Sequence, residues 1–114
     1  MNNTKLLNET LQSLGISKCY KGYRQLHLSV ELALDDESRL ECITDCIYNQ
    51  VADMCNCDCR HIERNIRTVA NHAWEVNSEL LTEIAGYTLL SSPSVSELIS
   101  ILVTHIERNR LENK

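Results

Sequence analysis

The sequence contains few of the residues that make tight turns and few aromatic residues. Its 114 residues include three Gly and one Pro, and the aromatic residues are four Tyr, one Trp and no Phe. A β-sandwich or β-barrel needs many turns, so an all-β architecture is disfavoured. Because aromatic side chains are scarce, we expect a core built from aliphatic residues.

The chain also lacks the features of membrane and exported proteins. No apolar run approaches the ~20 residues of a membrane-spanning helix, and the first four residues, Met-Asn-Asn-Thr, do not resemble a signal peptide. Hydrophobic residues make up 43% of the chain and charged residues 24%, as in globular proteins. We therefore predict a cytoplasmic protein with no membrane partner and a single domain over residues 1–114.

Positive charge is not in surplus. The net charge is −5, which disfavours indiscriminate binding to nucleic acid because phosphate groups attract Lys and Arg. Residues 1–59 contain five Lys and Arg against nine Asp and Glu, whereas residues 60–114 contain six against seven. Three Arg fall within residues 60–76. This mildly basic segment is the part of the chain that we expect to be best suited to DNA.

Apolar residues recur at helical spacing along almost the whole chain. The apolar stripes span residues 6–14, 23–34, 40–51, 62–74, 79–85 and 95–106, and only residues 87–90 are a candidate strand. Gly15 and Gly86 are expected to end helices, and Ser94 with Glu97 has the spacing of a capping box. We predict an all-α compact bundle of six or seven helices.

The stretch from Ile47 to Trp74 has the pattern of a helix-turn-helix. A short helix with the small residue Ala52 precedes a polar turn, and Asn56 tolerates the left-handed backbone conformation that a sharp turn requires. A longer amphipathic helix follows from about Asp58. We therefore place a helix-turn-helix at about residues 48–75.

The second helix of this pair carries a polar stripe opposite its aliphatic one. Its predicted outward residues, which are candidate DNA contacts, are Arg60, His61, Glu63, Arg64, Arg67, Thr68 and Asn71. In DNA-binding proteins Arg reads guanine with two hydrogen bonds, Glu accepts from cytosine and Asn pairs with adenine. The same pattern also fits a solvated helix face in a bundle that binds nothing, because helical hairpins are common.

Several short motifs occur in the same order as in a known family. They are Leu14-Gly15-Ile16, Lys21-Gly22-Tyr23, Ile43-Thr44, Tyr48, Ala52 with Asn56, Ile62-Glu63-Arg64 with Ile66-Arg67, Ala73-Trp74, Gly86-Tyr87-Thr88, and Pro93 with Ser96-Glu97-Leu98-Ile99. This ordered set spans nearly the whole chain. It resembles the C-terminal DNA-binding effector domain of the stage zero sporulation protein A family, the response regulators that initiate sporulation in endospore-forming bacteria.

The resemblance implies an all-helical domain whose helix-turn-helix binds duplex DNA at short tandem boxes, and it allows a homodimer on DNA. It implies that Glu63 and Arg64 read bases and that Arg67 contacts a phosphate or a base. Residues 78–87, which include Glu79 and Glu83, correspond to a family surface that contacts the RNA polymerase sigma factor.

The chain departs from the family pattern at the start of the second helix and before the domain. His61 stands where the family has an Arg that helps to read the box, and a neutral His cannot make the bidentate guanine contact. Arg60 stands where the family has a small hydroxyl residue, and we hypothesise that it compensates. The family's receiver domain does not precede this chain, so we expect no switching by phosphorylation in cis, either in a standalone paralogue or in a fragment of a longer product.

The six Cys residues fall into two groups and one single residue. Cys42 and Cys46, four residues apart in an aliphatic helical pattern, are predicted to be free thiols in the core. Cys55, Cys57 and Cys59 lie across the predicted turn, but their spacing differs from that of usual zinc sites, so we predict no bound metal and no cofactor. Cys57 and Cys59 are expected nearer the surface, where activated thiols are redox-sensitive.

The sequence supports three hypotheses about function, none of which is enzymatic. No Ser-His-Asp set, phosphate-binding loop or carboxylate pair at a cleft can be recognised. The first hypothesis is a transcription regulator that inserts its second helix into the major groove of duplex DNA. The second is a protein-interaction module that keeps the fold but binds the full-length regulator or RNA polymerase. The third is a redox or metal sensor built on Cys55, Cys57 and Cys59.

Charge pairing discriminates between the first two hypotheses. If Arg60, Arg64 and Arg67 stand free of carboxylates on one face, DNA binding is favoured. If each Arg is paired with a neighbouring carboxylate, the protein-interaction module is favoured.

Overall fold

Helices account for every regular element that the structure describes. The structure is a computed structural model, and it describes residues 3–112 and the side chains of residues 4–110. Its elements are α1 (Asn3–Ser13), α2 (Lys21–Asp35), a 3₁₀-helix (Glu37–Cys42), a π-helix (Thr44–Tyr48), α3 (Asn49–Cys55), α4 (Cys59–Ala85) and α5 (Val95–Glu112). The predicted all-α bundle of six or seven helices is confirmed, and residues 87–90 lie in the loop between α4 and α5.

The helices pack around an aliphatic core, as the composition predicted. Helices α2, α4 and α5 all contact one another, and α1 and α3 pack against this centre. The largest fully buried side chains are all Leu or Ile: Leu7, Leu11, Leu14, Ile16, Leu26, Ile47, Ile62, Ile66, Leu81, Leu98, Ile99 and Leu102. Within residues 3–112, none of the helices combines the length and the apolarity that a membrane span requires.

Helix α4 is bent at Asn77, between the two stripes that the sequence predicted as separate helices. Asn77 has φ −152° and ψ 65°, outside the helical region. Its side chain bonds the groups around the break: Oδ1 accepts from the Leu80 N–H at 3.2 Å, and Nδ2 donates to the Ser13 carbonyl at 3.4 Å. Gly86, with φ 80°, ends the helix as predicted. The two predicted helices are therefore two arms of one kinked helix.

The start of α5 confirms half of the predicted capping box. The Ser94 hydroxyl accepts from the Glu97 N–H at 3.2 Å, as the motif requires. The Glu97 carboxylate does not complete the box. It accepts instead from the Tyr87 hydroxyl at 2.8 Å and so ties the preceding loop to the helix.

The prediction for Cys42 and Cys46 was wrong. The two residues form a disulfide, with Cα atoms 5.6 Å apart, across the junction of the 3₁₀-helix and the π-helix. Cys42 is exposed and Cys46 half-buried, whereas Ile47 beside them is fully buried. A spacing of four residues does place both sulfurs on one helix face. The exposure of Cys42 and Cys46 shows that this face points toward solvent, so neither residue belongs to the core.

Two carboxyl groups meet where the 3₁₀-helix approaches α5. A hydrogen bond with the Glu37 side chain, together with burial and the charge of Glu37, raises the pKa of Glu107, and Arg110 offsets the rise in part. Because the folded protein holds this proton more tightly than the unfolded chain, the pair makes folding less favourable as pH rises above the ordinary carboxyl range.

We therefore expect Glu107→Gln to stabilise the protein more at pH 7 than at pH 5. Gln resembles the protonated carboxyl at both pH values, so the gain in melting temperature is largest where the native Glu107 has lost its proton. Thermal melts of both proteins at the two pH values measure this difference. Glu75→Gln, at an exposed position of α4, changes the net charge equally and serves as the control. An equal gain from both variants at pH 7 contradicts the prediction.

Candidate nucleic-acid interface

The predicted helix-turn-helix is present, and its turn has the predicted geometry. Asn56 has φ 54° and ψ 51°, the left-handed conformation that ends α3. The Cys57 N–H then donates to the Ala52 carbonyl at 3.0 Å and closes the turn. Ala52 is buried, as a small residue between crossing helices should be. Asp58 caps the next helix by accepting from the Arg60 N–H at 2.8 Å.

The buried face of α4 fixes this helix against α2. Its residues Ile62, Ile66, Val69 and Ala73 are at most 1% exposed. Gly22 of α2 lies so close that a Cβ atom there would be 2.5 Å from the Asn65 carbonyl oxygen. A hydrogen bond of 3.0 Å from the Asn65 amide to the Gln25 side chain joins the two helices at the same level. The outward face of α4 is therefore held in a fixed orientation.

The structure places the predicted site residues on the outward side of α4. The exposed ones are Arg60, His61, Arg64, Arg67, Thr68 and Asn71, and Glu63 is half-buried. The neutral side chains of Thr68 and Asn71 are both hydrogen-bonded. The Thr68 hydroxyl donates to the Arg64 carbonyl at 3.1 Å, and the Asn71 side-chain oxygen accepts from the Ser92 hydroxyl at 2.8 Å. The oxygen of Asn71 is thus engaged with the loop before α5.

Arg60 is paired with Asp58 at the start of α4. The Arg60 Nε and Nη2 atoms donate to the two carboxylate oxygens of Asp58 at 3.3 Å and 3.2 Å. The pKa of Asp58 is lowered to about 2. The largest cause is the side-chain hydrogen bond from Arg60, and the second is the hydrogen bond from the Arg60 backbone N–H. Asp58 therefore stays ionised throughout the pH range of the cell. The sequence analysis did not predict this pair, although an Asp at the helix N-cap two residues before an Arg indicates that such a pair can form.

Arg67 is paired with Glu63, one helical turn earlier. The Arg67 Nη2 atom donates to the Glu63 carboxylate across the i, i+4 spacing. Tyr48, from the π-helix, lines the same surface cavity as this pair. Burial first and the negative charge of Glu63 second raise the pKa of Tyr48 to about 12, and Arg67 offsets part of the rise. The Tyr48 hydroxyl is therefore neutral at physiological pH.

Arg64 is the arginine of this face without a carboxylate partner. Among the side chains of residues 4–110, no carboxylate forms an ion pair with Arg64. It lies between two surface cavities and contributes to both. One, of about 350 Å³, is lined by Thr44, Tyr48, Cys59, Arg60, Glu63, Arg64 and Arg67. The other, of about 400 Å³, is lined by Lys21, Gln25, Cys55, Cys57, His61, Arg64 and Asn65.

The charge criterion therefore gives a divided result. Arg60 and Arg67 are paired with carboxylates, and Arg64 at the centre of the face is not. Both pairs on this face are partly exposed to solvent, and such pairs contribute little to the free energy of folding. Lys21, the first residue of α2, lines the second cavity and adds a positive charge beside Arg64. The face is thus equipped to contact phosphates and base edges at its centre.

Cys55, Cys57 and Cys59 are half-buried around the turn. Burial first, and then the charges of Cys55 and Asp58, raise the pKa of the Cys57 thiol, so the activation that redox sensing needs does not occur at Cys57. Within residues 3–112, no group of three His, Cys, Asp or Glu side chains is arranged to hold a metal ion.

We expect a strong chelator to leave the thermal melting curve of the protein unchanged. The turn is held by the Asn56 conformation and by backbone hydrogen bonds, and the helices around it are held by apolar packing. A structural zinc ion contributes folding free energy directly, so its removal lowers stability strongly. Melting curves with and without the chelator, measured under reducing conditions, test this prediction. A large fall in the melting temperature on chelation contradicts it.

The family model described as sporulation initiation factor Spo0A C terminal matches residues 7–106. The matched range contains the helix-turn-helix, the two cavities around Arg64 and the loop before α5.

Proposed function

Because the chain belongs to the family of the sporulation initiation factor Spo0A C-terminal domain, we propose that it is a sequence-specific transcription regulator that binds duplex DNA. The family is one of sporulation-related DNA-binding effector domains and is not a family of enzymes. The finer assignments, which are the DNA-reading residues, the form of the DNA site and the protein partners, are our proposals.

In the proposed mechanism the first half of α4 enters the major groove and α3 lies across the phosphate backbone. The observation that carries this proposal is the position of Arg64, exposed at the centre of the rigid α4 face and free of carboxylates within residues 3–112. An unpaired guanidinium has both of its outer N–H groups available for guanine O6 and N7. The packing of α4 on α2 supplies the fixed orientation that base reading requires.

The other polar residues of the face have supporting roles in this proposal. Glu63 accepts from a cytosine amino group, and Arg67 contacts a phosphate or a base beside it. The remaining candidates, Arg60, His61, Thr68 and Asn71, flank these contacts along the groove.

The same proposal includes partners beyond a single DNA box. We propose that two copies bind tandem boxes in the cytoplasm as a homodimer on DNA, because one domain has few cations with which to meet phosphates. The second arm of α4 exposes Glu79 and Glu83 on one side. This acidic surface is our candidate for contact with the RNA polymerase sigma factor.

One observation favours the second hypothesis, a protein-interaction module. Two of the three arginines on the face are already paired with carboxylates, and the chain carries a net charge of −5. A face of alternating charges suits a polar protein surface as well as it suits DNA. Binding measurements with DNA separate the two hypotheses.

We expect Arg64→Ala to abolish the preference for a specific DNA sequence while the fold remains intact. Loss of a bidentate base contact reduces discrimination by ~1–3 kcal/mol and leaves contacts with phosphates in place. Affinities for a selected duplex and a random duplex, measured for both proteins, give the change. Arg108→Ala, at an exposed position of α5, removes the same charge away from the face and serves as the control. An equal loss of affinity for both duplexes argues against base reading by Arg64.

We also expect DNA binding to be weak, strongly dependent on salt and better on tandem boxes than on one box. If three to five phosphate contacts form per domain, log affinity falls against log salt with a slope of roughly −3 to −5. Two domains on adjacent boxes gain from their high effective concentration. Titrations of one-box and two-box duplexes at two salt concentrations measure both effects. If neither duplex binds even at low salt, the protein-interaction module replaces the proposed function.

A further inference from the structure

The ion pair at the start of α4 uses only one edge of the Arg60 guanidinium. Its Nε and Nη2 atoms donate to Asp58 Oδ1 and Oδ2 at 3.3 Å and 3.2 Å, which is a side-on bidentate arrangement. A guanidinium has five N–H groups in a rigid planar fork. The Nη1 group and the second hydrogen of Nη2 form the neighbouring, end-on edge, and the carboxylate leaves that edge unoccupied.

Asp58 is itself held firmly by the helix it caps. Its Oδ1 atom accepts from the Arg60 N–H at 2.8 Å, and its backbone carbonyl accepts from the His61 N–H at 2.9 Å. The carboxylate therefore has a defined position at the first turn of α4. Through this carboxylate, the backbone of the helix controls the direction of the Arg60 side chain.

The Arg60 side chain lies on the face of α4 that carries the candidate DNA contacts. The Arg60 side chain is 84% exposed although its inner edge is bound. It lines the same cavity as Glu63, Arg64 and Arg67. An end-on guanidinium edge offers two parallel N–H donors, and these match the O6 and N7 acceptors of guanine in the major groove.

We infer that Asp58 is a positioning residue for DNA recognition, and that it holds Arg60 so that its free edge pairs with one guanine of the site. The inference rests on the proposed function and deepens it by naming a second guanine-reading arginine beside Arg64. By the charge criterion, the pairing of Arg60 with Asp58 disfavours DNA binding. In this inference the same pair favours base reading, because it positions Arg60.

The carboxylate affects specific and nonspecific binding in opposite directions. It fixes Arg60 before DNA arrives, so less side-chain entropy is lost when the guanine contact forms. Its negative charge also repels phosphates, which lowers affinity for every sequence equally. Removal of the charge should therefore raise nonspecific affinity and lower discrimination. A residue with a merely structural role does not produce this divergence, because misfolding lowers both.

The test compares Asp58→Asn with the native chain on selected duplexes. Asn caps helices as well as Asp does, so α4 keeps its start, but the amide lacks the second oxygen that receives Arg60. Asp58→Ser, another good capping residue, is the second variant. Asp53→Asn, an exposed residue of α3, removes the same charge and is the matched control. Melting curves establish that each variant is folded.

Each guanine of the selected duplex is replaced in turn by 7-deazaguanine, which lacks the N7 acceptor, and by adenine. For the native chain we expect one position, in addition to that read by Arg64, at which the exchange to adenine lowers affinity by about 5- to 150-fold. Asp58→Asn should reduce that discrimination by about twofold to tenfold, the factor for immobilising one long side chain. Arg60→Lys should abolish it. Affinity of Asp58→Asn for random duplex should rise.

Three outcomes overturn the inference. In the first, Asp58→Asn and the native chain discriminate equally well between guanine and adenine at every position of the site. This result shows that the carboxylate does not position Arg60. The second is the same loss in Asp53→Asn, which shows a general effect of charge. The third is a native chain that binds no duplex at low salt, and this outcome removes the proposed function together with the inference.

Discussion

The close crossing of α2 and α4 at Gly22 is the contact on which the remaining features of the site depend. A side chain at Gly22 would meet the Asn65 carbonyl and the Val69 side chain at 2.5 Å and 2.6 Å, so only Gly permits this approach. The aliphatic stripe of α4 is buried because the helices lie so close. The polar stripe on the opposite face of α4 is consequently presented as a row of side chains on a rigid support.

An acidic protein can carry such a face only if its charges are arranged locally. Asp58 and Glu63 lie on the same helix as the three arginines, and two of the three arginines bond to them. These short-range pairs reduce the long-range attraction of the face for phosphates, which weakens indiscriminate binding. They do not prevent short-range hydrogen bonds to base edges, and these are the contacts that distinguish one base from another. Low net affinity and base discrimination are therefore compatible within one helix.

Periodicity was enough to predict that nearly the whole chain is helical, because burial of one side of a helix leaves a repeat of apolar residues in the sequence. The same holds for features encoded by one residue and its neighbours, such as the left-handed Asn56 and the cap at Ser94. Periodicity did not predict the helix types within residues 37–48 or the continuity of α4 across Asn77. The disulfide was missed because both Cys residues were assigned to the buried side of one helical pattern, whereas Cys42 ends a 3₁₀-helix and Cys46 lies in a π-helix. The pairs of Arg60 and Arg67 depend on side-chain rotamers, which a linear pattern does not specify.

The break at Asn77 affects how the two arms of α4 are oriented. A straight helix has one axis direction along its whole length. In α4 the backbone leaves the helical conformation at Asn77, and the Asn77 side chain is bonded to Ser13 at the end of α1. The arm that begins at Cys59 and the arm that begins after Asn77 can therefore take different directions from one tethered point. The direction of the first arm is set by its packing on α2 at Gly22 and Gln25.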